Sequence, residues 1–264
     1  MVSFEDKVID TPLGRVSYGD HGEGPIRLGL HSLLTDRTAF DDVAGKWGGR
    51  FIAVDLPGFG ASDPAPPSID DYSHRVAALI ETMELENQDL TLIGNGLGAF
   101  VALGTAINHG ELIDRLLLIG CGARFPDPAK GAFTTMTDAV RTGGMEAVVP
   151  IALRRIFTED YLSQHPEMAE ARALVLRRTD VEAFVTACTA LAALDYTHLA
   201  PSVTSPTMIV VGEDDQATPP HLAEELNRLI EGSNLVRLPG VAHAPQIQDP
   251  EGFVKATRRF LEGR

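Results

Sequence analysis

Two loops late in the chain carry residues that can move a proton, and each follows an apolar, β-prone run. Asp215 lies in Gly212-Glu213-Asp214-Asp215-Gln216-Ala217-Thr218-Pro219-Pro220, directly after residues 207–211. His243 ends Pro239-Gly240-Val241-Ala242-His243, directly after residues 234–238. An imidazole whose Nδ1–H is bound to a carboxylate is held in one tautomer and leaves Nε2 free to take a proton. The two residues are therefore candidates for a general base and the group that orients it. A third loop lies upstream, in Leu92-Ile93-Gly94-Asn95-Gly96-Leu97-Gly98-Ala99. An apolar run ends there in small residues and a run with helical spacing begins at once. The G-x-S-x-G pattern of a nucleophile elbow is met at Gly94 and Gly98. At its centre stands Gly96, which has no side chain with which to attack a carbonyl.

The elements that would carry these loops follow from pattern and punctuation. Residues 7–10 and 15–18 flank Thr11-Pro12-Leu13-Gly14 and read as a hairpin. Buried strands are expected near 26–31, 50–55, 89–94, 113–119, 207–211 and 234–238. Helices are expected over 39–47, capped by Asp36 or Thr38, over 70–84, from the elbow to about 108, over 219–230 and over 250–261. Strands alternating with helices argue for an α/β fold with a mostly parallel sheet. That rhythm stops from 125 to 199, where the chain reads as helical throughout. Residues 1–124 and 200–264 are thus expected to form the core. Residues 125–199 are expected to be a helical cap over the carboxyl edge of the sheet, where open α/β sheets bind ligands.

Composition narrows the partners. The 264 residues, 44% of them hydrophobic, suffice for one sizeable core with a cap. A formal net charge of −15 repels nucleic acid and anionic membranes. Two distant cysteines, Cys121 and Cys188, do not make a disulfide scaffold, and a reducing cytoplasm is the expected location. The N-terminal residues lack a basic segment followed by an apolar run, so no signal peptide is read. No stretch approaches the ~20 apolar residues of a membrane span. No metal and no cofactor are expected. The expected partner is a small-molecule carbonyl substrate, and a homo-oligomer stays open.

At these residues the chain resembles the α/β-hydrolase family, and within it most closely the 3-oxoadipate enol-lactonases. Nucleophile position, acid and histidine occur in the family's order. Ser32-Leu33-Leu34-Thr35-Asp36 resembles the oxyanion loop, and Asp55-Leu56-Pro57-Gly58-Phe59-Gly60-Ala61-Ser62 the loop after the next strand. Arg141-Thr142-Gly143-Gly144-Met145, Phe157-Thr158, Thr179-Asp180 and Ala187-Cys188 resemble cap features of the lactonases. Gly94-Asn95 followed by a serine would also resemble the C–C bond hydrolases of meta-cleavage pathways. The resemblance implies Asp215 as acid, Asp214 being a solvated neighbour, and His243 as base. It implies the backbone amides of Leu33 and Leu97 as oxyanion donors, and position 96 as the nucleophile, where this sequence departs. Ser32, His31, Asn95 and Cys121 are further candidates for the pocket, with inert packing the commoner fate of a cysteine.

Three functions fit this pattern. The first is a lactone or ester hydrolase in which His243 activates water in the space left at Gly96. The second is a lyase, isomerase or cyclase using His243 as base. The third is a binding protein without turnover. For the hydrolase, His243 is expected to meet no protein nucleophile unless Cys121 serves. Gly96→Ser is expected to restore a nucleophile at small folding cost.

Overall fold

In the computed structural model, which describes residues 2–86 and 88–263, eight strands form one sheet. The hairpin is β1 (Glu5–Thr11) and β2 (Gly14–His21), paired antiparallel. The remaining strands are β3 (Ile26–Leu30), β4 (Arg50–Val54), β5 (Thr91–Asn95), β6 (Arg115–Ile119), β7 (Thr207–Gly212) and β8 (Asn234–Leu238). Their order is β1-β2-β4-β3-β5-β6-β7-β8. β2 meets β4 antiparallel, and every later pair is parallel. The helices outside the stretch between β6 and β7 are α1 (Ile69–Thr82) and α2 (Leu97–Asn108), then α8 (Pro220–Leu229), α9 (Pro245–Gln248) and α10 (Pro250–Leu261). Between β6 and β7 run α3 (Asp127–Gly143), α4 (Val149–Ile156), α5 (Glu159–Gln164), α6 (Pro166–Arg178) and α7 (Val181–Ala193).

Helices cover both faces of the sheet, which is why its central strands read as unbroken apolar runs. Alternate residues still part company. Leu92, Leu116, Leu118, Ile209 and Val211 join the cluster that includes α1 and α2. Ile93, Leu117, Ile119, Met208 and Val210 join Phe253, Val254 and Leu261 of α10 on the other side. The helix expected over 39–47 is not there. The segment makes two short 3₁₀ turns instead, Arg37–Phe40 and Ala44–Lys46. Phe40, Val43, Ala44 and Trp47 are buried, and their spacing imitates a helix. Gly45 in the middle and Gly48-Gly49 at the end disfavour one. The turns anchor on the second face, where the Trp47 indole N–H donates to Thr257 Oγ1 at 3.1 Å.

The five-helix stretch leaves and rejoins the sheet at one place. An isolated bridge pairs Arg124 with Asp195, and the Tyr196 amide donates to Ala123 O at 2.8 Å. Further hydrogen bonds tie it to the rest of the fold. Arg172 Nη1 donates to Thr38 Oγ1 at 3.0 Å. The Ile156 carbonyl accepts from the amides of His243 and Ala244 at 3.1 and 3.3 Å. Among the described residues no helix is long and apolar enough to cross a membrane.

Beside the first 3₁₀ turn, burial pushes the Asp41 carboxyl up to about 6, the pull of Arg172 opposing and Asp36 and Asp42 adding repulsion. An acid whose pKa is raised by folding destabilises the native state once both states are ionised. That cost appears as the pH climbs from the unfolded value, about 3.9, through about 6, and persists above. Because the group is only half-buried, solvent screens much of the effect. Asp41→Asn is expected to raise Tm by roughly 2–4 °C at pH 7.5, and the gain should shrink toward zero near pH 4 in thermal melts.

Candidate active site

The loops after β7 and β8 bring Asp215 and His243 into contact. His243 Nδ1 lies 2.8 Å from Asp215 Oδ2. Each residue is 3% exposed. A buried carboxylate needs its lone pairs met by donors. Asp215 Oδ1 accepts the amides of Ala217 and Thr218, both at 2.8 Å, and Oδ2 accepts the Thr218 hydroxyl at 2.8 Å. With donors on every side, the carboxylate accepts a hydrogen bond from Nδ1–H of His243, and Nε2 carries the lone pair. Gly120 makes room for the ring: a Cβ there would stand 2.8 Å from Nδ1 and 2.9 Å from Thr218 Oγ1. Asp214 is exposed, with its amide donating to Val241 O at 3.0 Å.

Gly96 joins β5 to α2 with φ 53° and ψ −117°, a conformation that strains any residue with a side chain. The space above it is not vacant. Ser32, 2% exposed on the loop after β3, places Oγ 3.2 Å from His243 Nε2. The expectation that no protein nucleophile would touch His243 is therefore corrected. Since Nε2 is the acceptor, the Ser32 hydroxyl donates to it. A Cβ built at Gly96 would collide with Ser32 Oγ and stand 2.6 Å from His243 Nε2. The hydroxyl thus occupies the ground where an elbow side chain would begin, and the expected small cost of Gly96→Ser is corrected as well.

The other candidates divide. Leu33 and Leu97 line the same cleft as Ser32, Gly96 and His243. Their amides donate to no acceptor among the described residues. His31, Asn95 and Cys121 do not line it. His31 is fully buried, its Nδ1–H donating to Ser32 O at 2.9 Å and its Nε2 accepting the Leu56 amide at 3.1 Å. Burial holds its pKa below the ordinary imidazole value. It is a peg that fixes the backbone of Ser32. Asn95 turns its amide to His243 O at 2.9 Å and accepts from Gln246 Nε2 at 2.9 Å, so it secures the histidine loop from behind. Cys121 Sγ donates to Gly122 O at 3.4 Å, and burial pushes its thiol far up, away from the thiolate that would attack.

The non-atom space of the cleft, open solvent at its mouth included, is about 350 Å³. Its walls are apolar, with Phe100 from α2, Phe125 and Phe133, Met136 of α3 and Leu191 of α7. Two polar residues in it escaped the sequence reading, Thr218 and Arg155. Thr218 could have been noticed as a hydroxyl three residues beyond Asp215. Arg155 of α4 is half-buried, donates only to Ala217 O at 3.4 Å, and has no ion-pair partner among the described residues. Burial lowers its pKa and Asp215 raises it, leaving the guanidinium a cation in an apolar wall. Its one sequence signal was the doublet Arg154-Arg155.

This arrangement has relatives. Residues 21–256 match the profile of the Alpha/beta hydrolase family. The chain is 30% identical over 248 residues to a pimeloyl-[acyl-carrier protein] methyl ester esterase of Neisseria meningitidis, covering 89% of this chain and 76% of that one. It is 28% identical over 272 residues to a 2-hydroxy-6-oxo-2,4-heptadienoate hydrolase of Pseudomonas putida, covering 96% and 93%. Its fold superposes on the enol-lactonase of Burkholderia xenovorans with a TM-score of 0.91 at 26% identity, over 97% of this chain and all of that one.

The crowding at Gly96 has a measurable consequence. Gly96→Ala adds a strained backbone and forces Ser32 and His243 apart. Backbone strain of this kind costs about 1–3 kcal/mol before any clash. A fall in Tm of roughly 4–8 °C is expected in calorimetry, and an unchanged Tm would mean that neither the backbone strain nor the clash is felt.

Proposed function

Because the chain belongs to the alpha/beta hydrolase family, we propose that it hydrolyses a small carboxylic ester or lactone that carries an anionic group, with His243 as general base and Asp215 as its orienter. The observation that carries this reading is the buried Asp215–His243 hydrogen bond, which turns a basic nitrogen toward a cleft lined by the first residue of α2. Position counts as much as basicity. The amides of Leu33 and Leu97 border the cleft and are available to a developing oxyanion, and such a donor is worth ~10²–10³-fold in rate. Residues 125–199 act as the cap, because α3, α4 and α7 supply walls that keep water from the reacting carbonyl. Similarity to an enol-lactonase, a methyl ester esterase and a meta-cleavage hydrolase supports a C–O or C–C acyl substrate.

Arg155 supports the anionic group. A half-buried guanidinium without a carboxylate partner is stabilised by a ligand that brings one, and it can hold a carboxylate through two parallel hydrogen bonds. The substrate would lie with its carbonyl at Ser32, Gly96 and His243 and its anionic end toward α4.

A panel of enol-lactones, aryl esters and meta-cleavage diketones tests the reading, each offered as the free acid and as its neutral methyl ester. The protein is expected to hydrolyse one or more acids of the panel, with solvent oxygen from labelled water appearing in the product. His243→Ala should lower kcat by ~10²–10⁴-fold. Arg155→Ala should raise KM for the acid by roughly tenfold and leave KM for the neutral ester unchanged. Conversion of a substrate without solvent oxygen would replace hydrolysis by an elimination or isomerisation, and no turnover at all would leave a binding protein.

A further inference from the structure

We infer that Ser32 is the nucleophile of this site, so that the working triad is Ser32–His243–Asp215, with the serine supplied by the loop after β3 instead of by the elbow. This rests on the hydrolase reading above and adds to it the covalent step.

Three observations converge on Ser32. Its Oγ is 3.2 Å from His243 Nε2, and Nδ1 of the same ring is 2.8 Å from Asp215 Oδ2, so the three groups form one unbroken relay. The Ser32 hydroxyl has no other hydrogen-bond partner among the described residues, so its proton is directed to the base alone. Its backbone is fixed at both ends. Its carbonyl accepts from His31 Nδ1 at 2.9 Å and from the Thr35 amide at 3.2 Å, and its amide donates to Thr35 Oγ1 at 3.1 Å. A nucleophile held this firmly loses little entropy on attack.

The competing attackers are committed elsewhere. The Thr218 hydroxyl donates to Asp215 Oδ2 at 2.8 Å, and the Cys121 thiol donates to Gly122 O at 3.4 Å. A hydrolytic water at Gly96 would need the Nε2 lone pair that Ser32 already holds. The absence of a side chain at 96 is what lets Ser32 reach it, because a Cβ there would collide with Ser32 Oγ.

The chemistry balances with water as the only co-reactant. Ser32 Oγ forms a bond to the substrate carbonyl carbon while its proton passes to His243 Nε2, and the carbonyl π pair moves onto oxygen. The amide of Leu33, the residue following the nucleophile, and the amide of Leu97 at the start of α2, both residues of the cleft lining, are the donors assigned to that charge. The intermediate collapses by breaking the bond from the acyl carbon to the leaving oxygen, which takes the proton from Nε2. Water then adds to the acyl-Ser32 ester, giving one proton to Nε2. The Oγ–C bond breaks, Oγ recovers that proton, and the acid is released.

A fluorophosphonate probe tests the assignment without knowledge of the substrate. The wild-type protein is expected to gain one adduct, which peptide mapping by mass spectrometry places on Ser32, and His243→Ala should abolish it. Alongside, 4-nitrophenyl acetate hydrolysis should fall roughly 10³-fold or more in Ser32→Ala. Ser32→Cys keeps an attacking atom and should release a burst of one equivalent of 4-nitrophenol, a signature that a merely structural hydroxyl would not leave. Ester hydrolysis that depends on His243 but persists within tenfold in Ser32→Ala, or an adduct on any other residue, overturns Ser32 while the hydrolase reading stands. A folded wild-type protein that is neither labelled nor hydrolytic overturns both. An adduct on Ser32 without turnover supports the nucleophile and removes the hydrolase reading alone.

Discussion

Keeping the carboxylate of Asp215 away from water sets the terms for everything around it. Its oxygens take two amides, a hydroxyl and an imidazole N–H, all from within the fold. Two of those donors belong to Thr218 and one to Ala217, so the loop after β7 is wound around its own acid. The fourth draws His243 across from the next loop and decides which ring nitrogen keeps a lone pair. A polar atom facing an apolar cleft then needs a donor of its own. Ser32 supplies it, and His31 and Thr35 hold Ser32 in place to do so.

Gly96 and Ser32 are two halves of one packing decision. The elbow geometry at position 96 is present, with the strained dihedrals that would aim a side chain at His243. The ground that such a side chain would cross is filled by Ser32 Oγ. A side chain at 96 and the present rotamer of Ser32 exclude one another, so the frame accommodates one hydroxyl at Nε2, delivered from either of two loops. The rest of the elbow is undisturbed: α2 still begins at Leu97, which lines the cleft.

What could be read from the sequence was whatever depends on residues close together in the chain. The hairpin and the six later strands were legible because β-prone runs stop at Gly, Pro and Asp, and Asp215 and His243 because each lies in the loop that follows such a run. The helix over 39–47 misled because Phe40, Val43, Ala44 and Trp47 satisfy a helical spacing that two 3₁₀ turns also satisfy once Trp47 can reach Thr257, which lies 210 residues away. His31 and Asn95 sit next to pocket residues in sequence, yet both turn inward to hold backbone. The Ser32–His243 contact joins loops 211 positions apart and left no local trace. Arg155 was hidden for the same reason, since a doublet of arginines on an amphipathic helix ordinarily faces solvent.

The carbonyl of Ile156 accepts both the His243 and the Ala244 amides, at the C-terminal end of α4. Two amides on one oxygen make a stiff joint between the helical stretch and the histidine loop. Arg155, one residue earlier, faces the cleft. Arg155 and the backbone of His243 are therefore joined through a single residue. A group bound at Arg155 under the proposed function would thus lie one residue from the carbonyl that holds the His243 backbone. On the proposed function, a substrate too short to reach Arg155 would meet the same atoms at Ser32 without touching that joint.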